Sequence, residues 1–411
     1  MVPGAVSRRA AGDALKKIAL RLLQVAAVIL VAFFVLPVPA PSVPKEWLTP
    51  GSWPPREEGL LQAGAARVRI ELSAHPVLAG YAGHRRADDA NEPIYARAIA
   101  IRAGSFPGNM VIASIDTLLV PEEPEFSHGG CVLIAATHTH TGPGGLWNSR
   151  LAGWLGAGEP DAKQRVAVGR ALKEAIDQAE RALGPAELLV GREAWTAGPA
   201  RARSEGPIDP DLVALRLRRP SGATVATLVV YAMHPTSAPR DVLSADWPGK
   251  IEHDAPVLLL QGAVGNSTWP RDAPIAQAVA AEVEAVLRDA PPLSEAPLEC
   301  TTRALQPPRA QASRRVPWVL RRAVSNVLTW WGPLPLVFQT RMRIGPVTLL
   351  GVPGEPVGEL GIAARPTVLV GLAGGYLGYV ETPERWEAGL GESGKTYFGP
   401  SLAHALGLWP R

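Results

Sequence analysis

From Cys131 to Ala136 the chain is apolar without a break, and it then turns abruptly into Thr137-His138-Thr139-His140-Thr141-Gly142-Pro143-Gly144-Gly145. A short apolar run that stops in turn residues reads as a buried strand. Side chains alternate along a strand, but past its end the backbone bends, which frees His138 and His140 to face one pocket at the carboxyl edge of a sheet. A single histidine there would read as a strand cap. Two in a loop bracketed by glycine and proline point to metal binding or acid/base chemistry.

The same arrangement recurs twice. Ala223 to Met233 reads as a strand ending at His234-Pro235-Thr236-Ser237, and Val347 to Val352 as one running into Pro353-Gly354-Glu355-Pro356. A carboxylate between a glycine and a proline sits on a backbone with little freedom. Two imidazoles and a carboxylate are a usual catalytic zinc set that leaves one position for water. The spacing is too wide for a local H-E-x-x-H helix motif. The competing reading makes each of these polar residues an ordinary turn residue.

Ala66 to Leu72, Tyr95 to Ile101, Met110 to Ile115, Glu187 to Val190, Leu212 to Leu217 and Val257 to Gln261 also read as strands. Asp161 to Leu183 and Pro274 to Arg288 carry a helical apolar period. Strand, loop and helix alternate without an internal repeat, which predicts one large mixed α/β (α+β) domain over residues 60–411. Arg314 to Trp331 mixes Arg314, Arg315, Arg321 and Arg322 with Trp318, Trp330, Trp331 and aliphatic residues. It reads equally as a helix lying on anionic lipid and as a helix packed on the core.

Ahead of the domain, Arg8, Arg9, Lys16, Lys17 and Arg21 precede an apolar run, and Pro37, Pro39, Pro41 and Pro44 follow it. Residues 1–17 therefore read as a basic cytoplasmic segment and 18–36 as a transmembrane signal-anchor of almost the ~20 residues a bilayer requires. Residues 37–59 read as a stiff proline-rich spacer. A cleaved signal peptide competes with the anchor, though no small-x-small site follows Leu36. Either way the domain is expected on the exported side, periplasmic or extracellular. The formal charge is only +3 and no block of like charge stands out, which argues against a nucleic-acid partner. Cys131 and Cys300 either pair or remain buried thiols, and two cysteines make no zinc site.

Taken in order, several segments resemble the neutral/alkaline, non-lysosomal ceramidases, zinc amidases that split the fatty acid from sphingosine. Thr137 to Gly145 is similar to that family's first metal motif. Tyr81-Ala82-Gly83, Ala96-Arg97-Ala98, Ser114-Ile115-Asp116, Arg203-Ser204, His234 to Ser237, Ser244 to Gly249, Val352 to Glu355, Tyr379 to Arg385 and Phe398-Gly399-Pro400 follow in matching order. The resemblance implies one zinc ion per chain, held by His138, His234, Glu355 and Tyr379, with His140 and Arg203 lining the pocket. It implies a water activated by zinc near neutral pH, an oxyanion held by the metal and Arg203, and His140 moving a proton to the leaving amine. Asp246 is expected behind the ligands, orienting a histidine.

The chain also departs from that pattern. Gly265-Asn266-Ser267-Thr268-Trp269-Pro270 stands where the family carries Gly-Asp-Val-Ser-Pro-Asn, so Gly265, Asn266, Ser267 and Thr268 are expected to form a rewritten substrate-pocket wall. Gly391 takes the place of a second tyrosine. A short acidic loop replaces a helix between Asp116 and Cys131, and no immunoglobulin-like domain is expected after the catalytic one. Three functions follow: a membrane-anchored hydrolase of the N-acyl amide of ceramide or a related lipid, a zinc hydrolase of another amide or ester, and an inactive ceramidase-like lipid-binding protein.

Overall fold

The alternation of side chains along the strands decides how the layers stack. In the computed structural model, described for residues 21–24, 27–28, 31–37, 51–53, 59–88, 92–104, 108–121, 131–251, 255–270, 274–331 and 337–410, strands are numbered in chain order. Strand β5, Cys131–Ala136, turns Cys131, Leu133 and Ala135 into a central apolar cluster and Ile134 and Ala136 into a second one on its other face. Strand β10, Thr224–Tyr231, does likewise: Ala226, Leu228 and Val230 face the centre, Val229 and Tyr231 the far side. Each fully buried Leu or Val contributes roughly 1.5–3 kcal/mol, so both faces of each sheet are worth covering.

The first sheet has the order β13-β2-β3-β4-β5, with Glu295–Ala296, Gly59–Arg69, Tyr95–Ala103 and Met110–Ile115 preceding β5, and β6, Gly184–Pro185, paired to β2. The second has the order β11-β10-β9-β7, formed by Val257–Gln261, β10, Asp211–Arg218 and Glu187–Ala194. The third has the order β1-β14-β15-β16-β18, formed by Gly51–Trp53, Leu298–Leu305, Val337–Ile344, Val347–Gly351 and Val368–Val370. Two short ladders complete the set: Arg201–Ala202 (β8) with Ser267–Thr268 (β12), and Glu355–Pro356 (β17) with Tyr379–Val380 (β19). The helix Ala162–Arg181, capped by the Asp161 carboxylate on the Lys163 and Gln164 amides, covers the first sheet. The helix Ile275–Leu287 covers the second. The result is helix, sheet, sheet, helix around a shared core, with the third sheet closing it.

Most pairings are antiparallel. Four are parallel: β4 with β5, β10 with β11, β16 with β18, and the short ladder of β17 with β19. In a parallel pair both strands deliver their carboxyl ends to the same side, so the loops that follow lie next to each other. His138, His234 and Glu355 come from exactly such loops, after β5, β10 and β16.

Expected and observed elements agree to within four residues at their ends, except that the strand expected over Ala66 to Leu72 runs from Gly59 to Arg69. The part of the 37–59 spacer that is described is not all linker, because Gly51–Trp53 pairs antiparallel with Leu298–Leu305 and so belongs to the third sheet. The strands Leu298–Leu305 and Val337–Ile344 were not legible as such. Arg314 to Trp331 forms a helix over Trp318–Trp331. The basic segment 1–17 lies outside the described residues, and the expected span 18–36 is described as helix only at 21–24, 27–28 and 31–35. No helix among the described residues is long and apolar enough to cross a membrane. Cys131 and Cys300 are joined as a disulfide between the first and third sheets, with Cα atoms 6.1 Å apart.

Candidate metal centre

At the end of β5 the backbone takes a positive φ of +68° at His138, an uncommon conformation for a residue with a side chain. That turn swings the imidazole back under the sheet edge, where the His138 amide donates to Thr117 O at 3.0 Å and Nδ1 meets Leu118 O at 3.0 Å. Two residues on, the His140 amide donates to Pro235 O, and its Nδ1 meets Gly80 O at 2.9 Å. Gly80, at φ +106°, has to be glycine, since a Cβ there would stand 2.2 Å from His140 O. His234 follows β10 and places Nδ1 2.7 Å from Ser267 O.

A carbonyl accepts protons and gives none, so these three contacts fix the tautomer: Nδ1 carries the hydrogen and Nε2 presents a lone pair. The three rings each bring a nitrogen within 4.8 Å of the others. Glu355 enters from the third sheet with Oε2 3.1 Å from His234 Nε2 and 3.3 Å from His138 Nε2. Tyr379, register partner of Glu355 in the short parallel ladder, sets its hydroxyl 3.4 Å from His234 Nε2. Arg203 donates to that hydroxyl at 2.7 Å and pairs through Nε with Glu392 at 3.2 Å. The four distant side chains implied as ligands therefore meet at one point, with His140 and Arg203 beside it as expected.

Burial shapes the proton affinities. Desolvation, helped by Arg203 and His138, lowers His234 to about 4, and desolvation with the neighbouring imidazoles holds His140 well below the usual histidine range. Burial and the Glu355 charge push the Tyr379 and Tyr376 phenols well above theirs. For Arg203, burial opposes its charge, and Tyr379, Glu392 and Glu355 more than restore it.

The donor set fits a cation. The buried Nε2 atoms of His138 and His140 make no hydrogen bond, and with Nδ1 on a carbonyl the His234 lone pair faces a carboxylate oxygen. Two imidazoles, a carboxylate and a phenol oxygen match zinc in type and number, and His140 Nε2 stands close enough to belong to the same group.

One contributor escaped the sequence: Tyr376, half-buried in the loop after β18, donates its hydroxyl to Glu355 Oε1 at 2.6 Å. Its only signal was its place three residues before Tyr379 in a glycine-rich stretch. Tyr81 also belongs here, its ring edge-on to His140 at 5.4 Å between centroids, with the guanidinium groups of Arg85 and Arg240 over its faces.

Two expectations are corrected. Asp246 does not reach a histidine: its carboxylate accepts from the Ser237 hydroxyl, from Ala238 N at 2.7 Å and from Trp247 N at 2.6 Å, and so fixes the turn after His234. Gly265, Asn266, Ser267 and Thr268 serve as framework more than as a pocket wall. The Gly265 amide donates to Pro356 O, and Asn266 accepts from Gly358 N at 2.8 Å while donating to Pro207 O at 3.0 Å. Ser267 orients His234 through its carbonyl and donates its hydroxyl to Ala232 O, and Thr268 pairs with Arg201.

No family model and no curated protein matches the chain. Solved structures do. Neutral ceramidase from Pseudomonas aeruginosa superposes with a TM-score of 0.70 at 19% identity, over 86% of this chain and 74% of that one. A ceramidase complexed with C2 gives 0.69 at 18% identity, over 85% and 74%. The fold is thus that of the neutral ceramidases, as the ordered motifs implied.

Proposed function

We propose that this chain is a zinc-dependent amidohydrolase of the ceramidase type, cleaving the N-acyl amide of ceramide or a related lipid on the exported side of a membrane. The observation that carries the reading is the meeting of imidazole lone pairs with a buried carboxylate and a phenol, an arrangement of acceptors that calls for a cation. His138, His234, Glu355 and Tyr379 would hold a zinc ion, whose chemistry there would be to bring the pKa of a water molecule to roughly 7 and so make a nucleophile for the amide carbon available at neutral pH.

The remaining work falls to side chains. His140 is neutral and its Nε2 lone pair is unpartnered, so it can take the proton of the attacking water and pass it to the amide nitrogen, which leaves only as an amine. Arg203 keeps its charge beside the Tyr379 hydroxyl and supplies the donor for the oxyanion that develops on the carbonyl oxygen. Tyr376 and the three backbone carbonyls hold the ligands in one orientation before substrate arrives. The disulfide between Cys131 and Cys300 supports export, because such bonds persist in oxidising compartments. The apolar residues of 18–36 support a tether at the amino end.

A second reading, the same site acting on a different amide or ester, is favoured by Gly391. It has φ +54°, and a Cβ there would lie 2.2 Å from Glu381 Oε2, so the Glu381 carboxylate leaves no room for a side chain at this position. The donor that tyrosine would offer near the amide is missing.

Metal analysis and turnover of a fluorescent ceramide test both readings. Near-stoichiometric zinc with release of fatty acid is expected, and His138→Ala should abolish both. Zinc without ceramide turnover would transfer the proposal to the second reading. A protein that takes up no zinc would end both and leave a lipid-binding protein of ceramidase fold.

A further inference from the structure

Exposed large apolar side chains are not scattered over this molecule. Among the described residues most of them belong to two elements: Leu22, Leu23, Val28, Val31, Phe34, Val35 and Leu36 near the amino end, and Trp318, Val319 and Leu320 at the start of the helix Trp318–Trp331. The two elements are bonded to each other. The Asn326 side chain donates to Phe33 O at 2.5 Å and Leu36 O at 2.8 Å, the last carbonyls of the apolar helix, which have no partner within it. Trp318 lies eight residues from Asn326 on the same helix, about 12 Å along its axis. Its ring is 79% exposed, a large apolar area to leave in water.

Charge runs the same way. From Glu299 to Glu355 the chain carries eight arginines and no acidic residue between those two ends. Arg314 is paired with Glu387, but Arg315 and Arg321 donate to neutral backbone carbonyls, and Arg322 is exposed. A protein partner would have to cover this helix and the apolar amino-terminal residues together. A bilayer covers both at once: it takes up the apolar amino-terminal side chains, and its headgroup region suits tryptophan and arginine beside each other.

We propose that the helix Trp318–Trp331 lies on an anionic lipid surface, with Trp318, Val319 and Leu320 dipping below the headgroups and Arg315, Arg321 and Arg322 among the phosphates. This is independent of the zinc reading. It also orients the centre, because Arg315 donates to Gly391 O at 2.9 Å, one residue before the Glu392 that pairs with Arg203. The rim of the site is thereby bonded to the surface that meets lipid.

The test uses the full chain in vesicles of phosphatidylcholine with a minority of phosphatidylglycerol. A nitroxide is attached at Val319→Cys, and for comparison at Val166→Cys, an exposed position on the helix Ala162–Arg181; the two native cysteines are tied in their disulfide. The Val319 label is expected to be oxygen-rich and shielded from a water-soluble relaxant, the Val166 label the reverse. Photoreactive lipid on the unmodified protein should leave adducts at 318–320. A Val319 label as water-exposed as the Val166 one, a label shielded from water and lipid alike by a protein neighbour, or adducts confined to the amino-terminal helix would each overturn the proposal.

Discussion

Glu355 is surrounded by groups that cannot share a proton with it. Two imidazoles turn lone pairs toward its Oε2, and both imidazoles already spend their one hydrogen on a backbone carbonyl. Only Tyr376 gives it a hydrogen bond that does not compete with a metal, at Oε1, leaving Oε2 to point inward. Orienting partners of this kind are worth 10- to 100-fold in metal affinity. Tyr376→Phe keeps the ring against Trp147, 5.8 Å away between centroids, and removes only the donor. Zinc affinity measured by chelator competition should therefore fall about 10- to 100-fold with the fold intact. Unchanged affinity would mean that Glu355 is not a ligand. The side chains proposed as ligands stood out in the sequence because histidine, glutamate and tyrosine at strand ends carry distinctive chemistry. The groups that orient His138, His140 and His234 did not, since every residue has a carbonyl and the sequence does not say which one meets a ring.

At the scale of elements one rule repeats three times. A ligand follows one strand of a parallel pair, and the group that orients it follows the other: His138 after β5 with Leu118 O after β4, His234 after β10 with Ser267 O after β11, Glu355 after β16 with Tyr376 after β18. The strands that carry ligands were legible from their unbroken apolar runs, as parallel strands buried on both faces should be. Leu298–Leu305 was not, because Glu299, Thr301, Thr302 and Arg303 break its apolar pattern. The loop after β11 depends on Asn266, which is buried and joins Gly358 N to Pro207 O. Asn266→Ala leaves the buried Gly358 amide without its partner, at ~1–3 kcal/mol, while the carbonyl of the exposed Pro207 can turn to water. Urea unfolding should show a loss of about 1–3 kcal/mol while zinc stoichiometry persists, because the Asn266 side chain bonds to backbone groups and to none of the candidate ligand side chains. Asn266→Asp, the residue type of the resembling family, should not rescue it: a carboxylate accepts from Gly358 but sets an oxygen against the Pro207 carbonyl. Rescue by Asp, or no loss with Ala, would show that the loop is held some other way.

At the scale of the whole molecule, the three main sheets among the described residues bring their loops to the candidate metal centre, and noncovalent contacts between the first and third are supplemented by one covalent link. Cys131 opens β5 and Cys300 lies in β14, both buried, separated by 169 residues of chain. That separation is why the sequence left pairing open: nothing local ties two cysteines so far apart, and only the stacking of the two sheets brings their Cα atoms to 6.1 Å. It is also why the bond should matter. Closing a long loop removes much of the freedom of the unfolded chain, and native disulfides contribute about 2–5 kcal/mol. The centre should be indifferent, for Cys131 is at the far end of β5 from His138, a strand length of about 20 Å away. Cys131→Ala combined with Cys300→Ala is therefore expected to lower the urea midpoint by an amount equivalent to about 2–5 kcal/mol, with zinc content and turnover at 25 °C retained. Reduction of the unmodified protein should reproduce the shift, and the double variant should not respond to reductant. Equal midpoints for the two proteins under oxidising conditions would mean that burial between the sheets, and not the covalent bond, holds the first and third sheets in register.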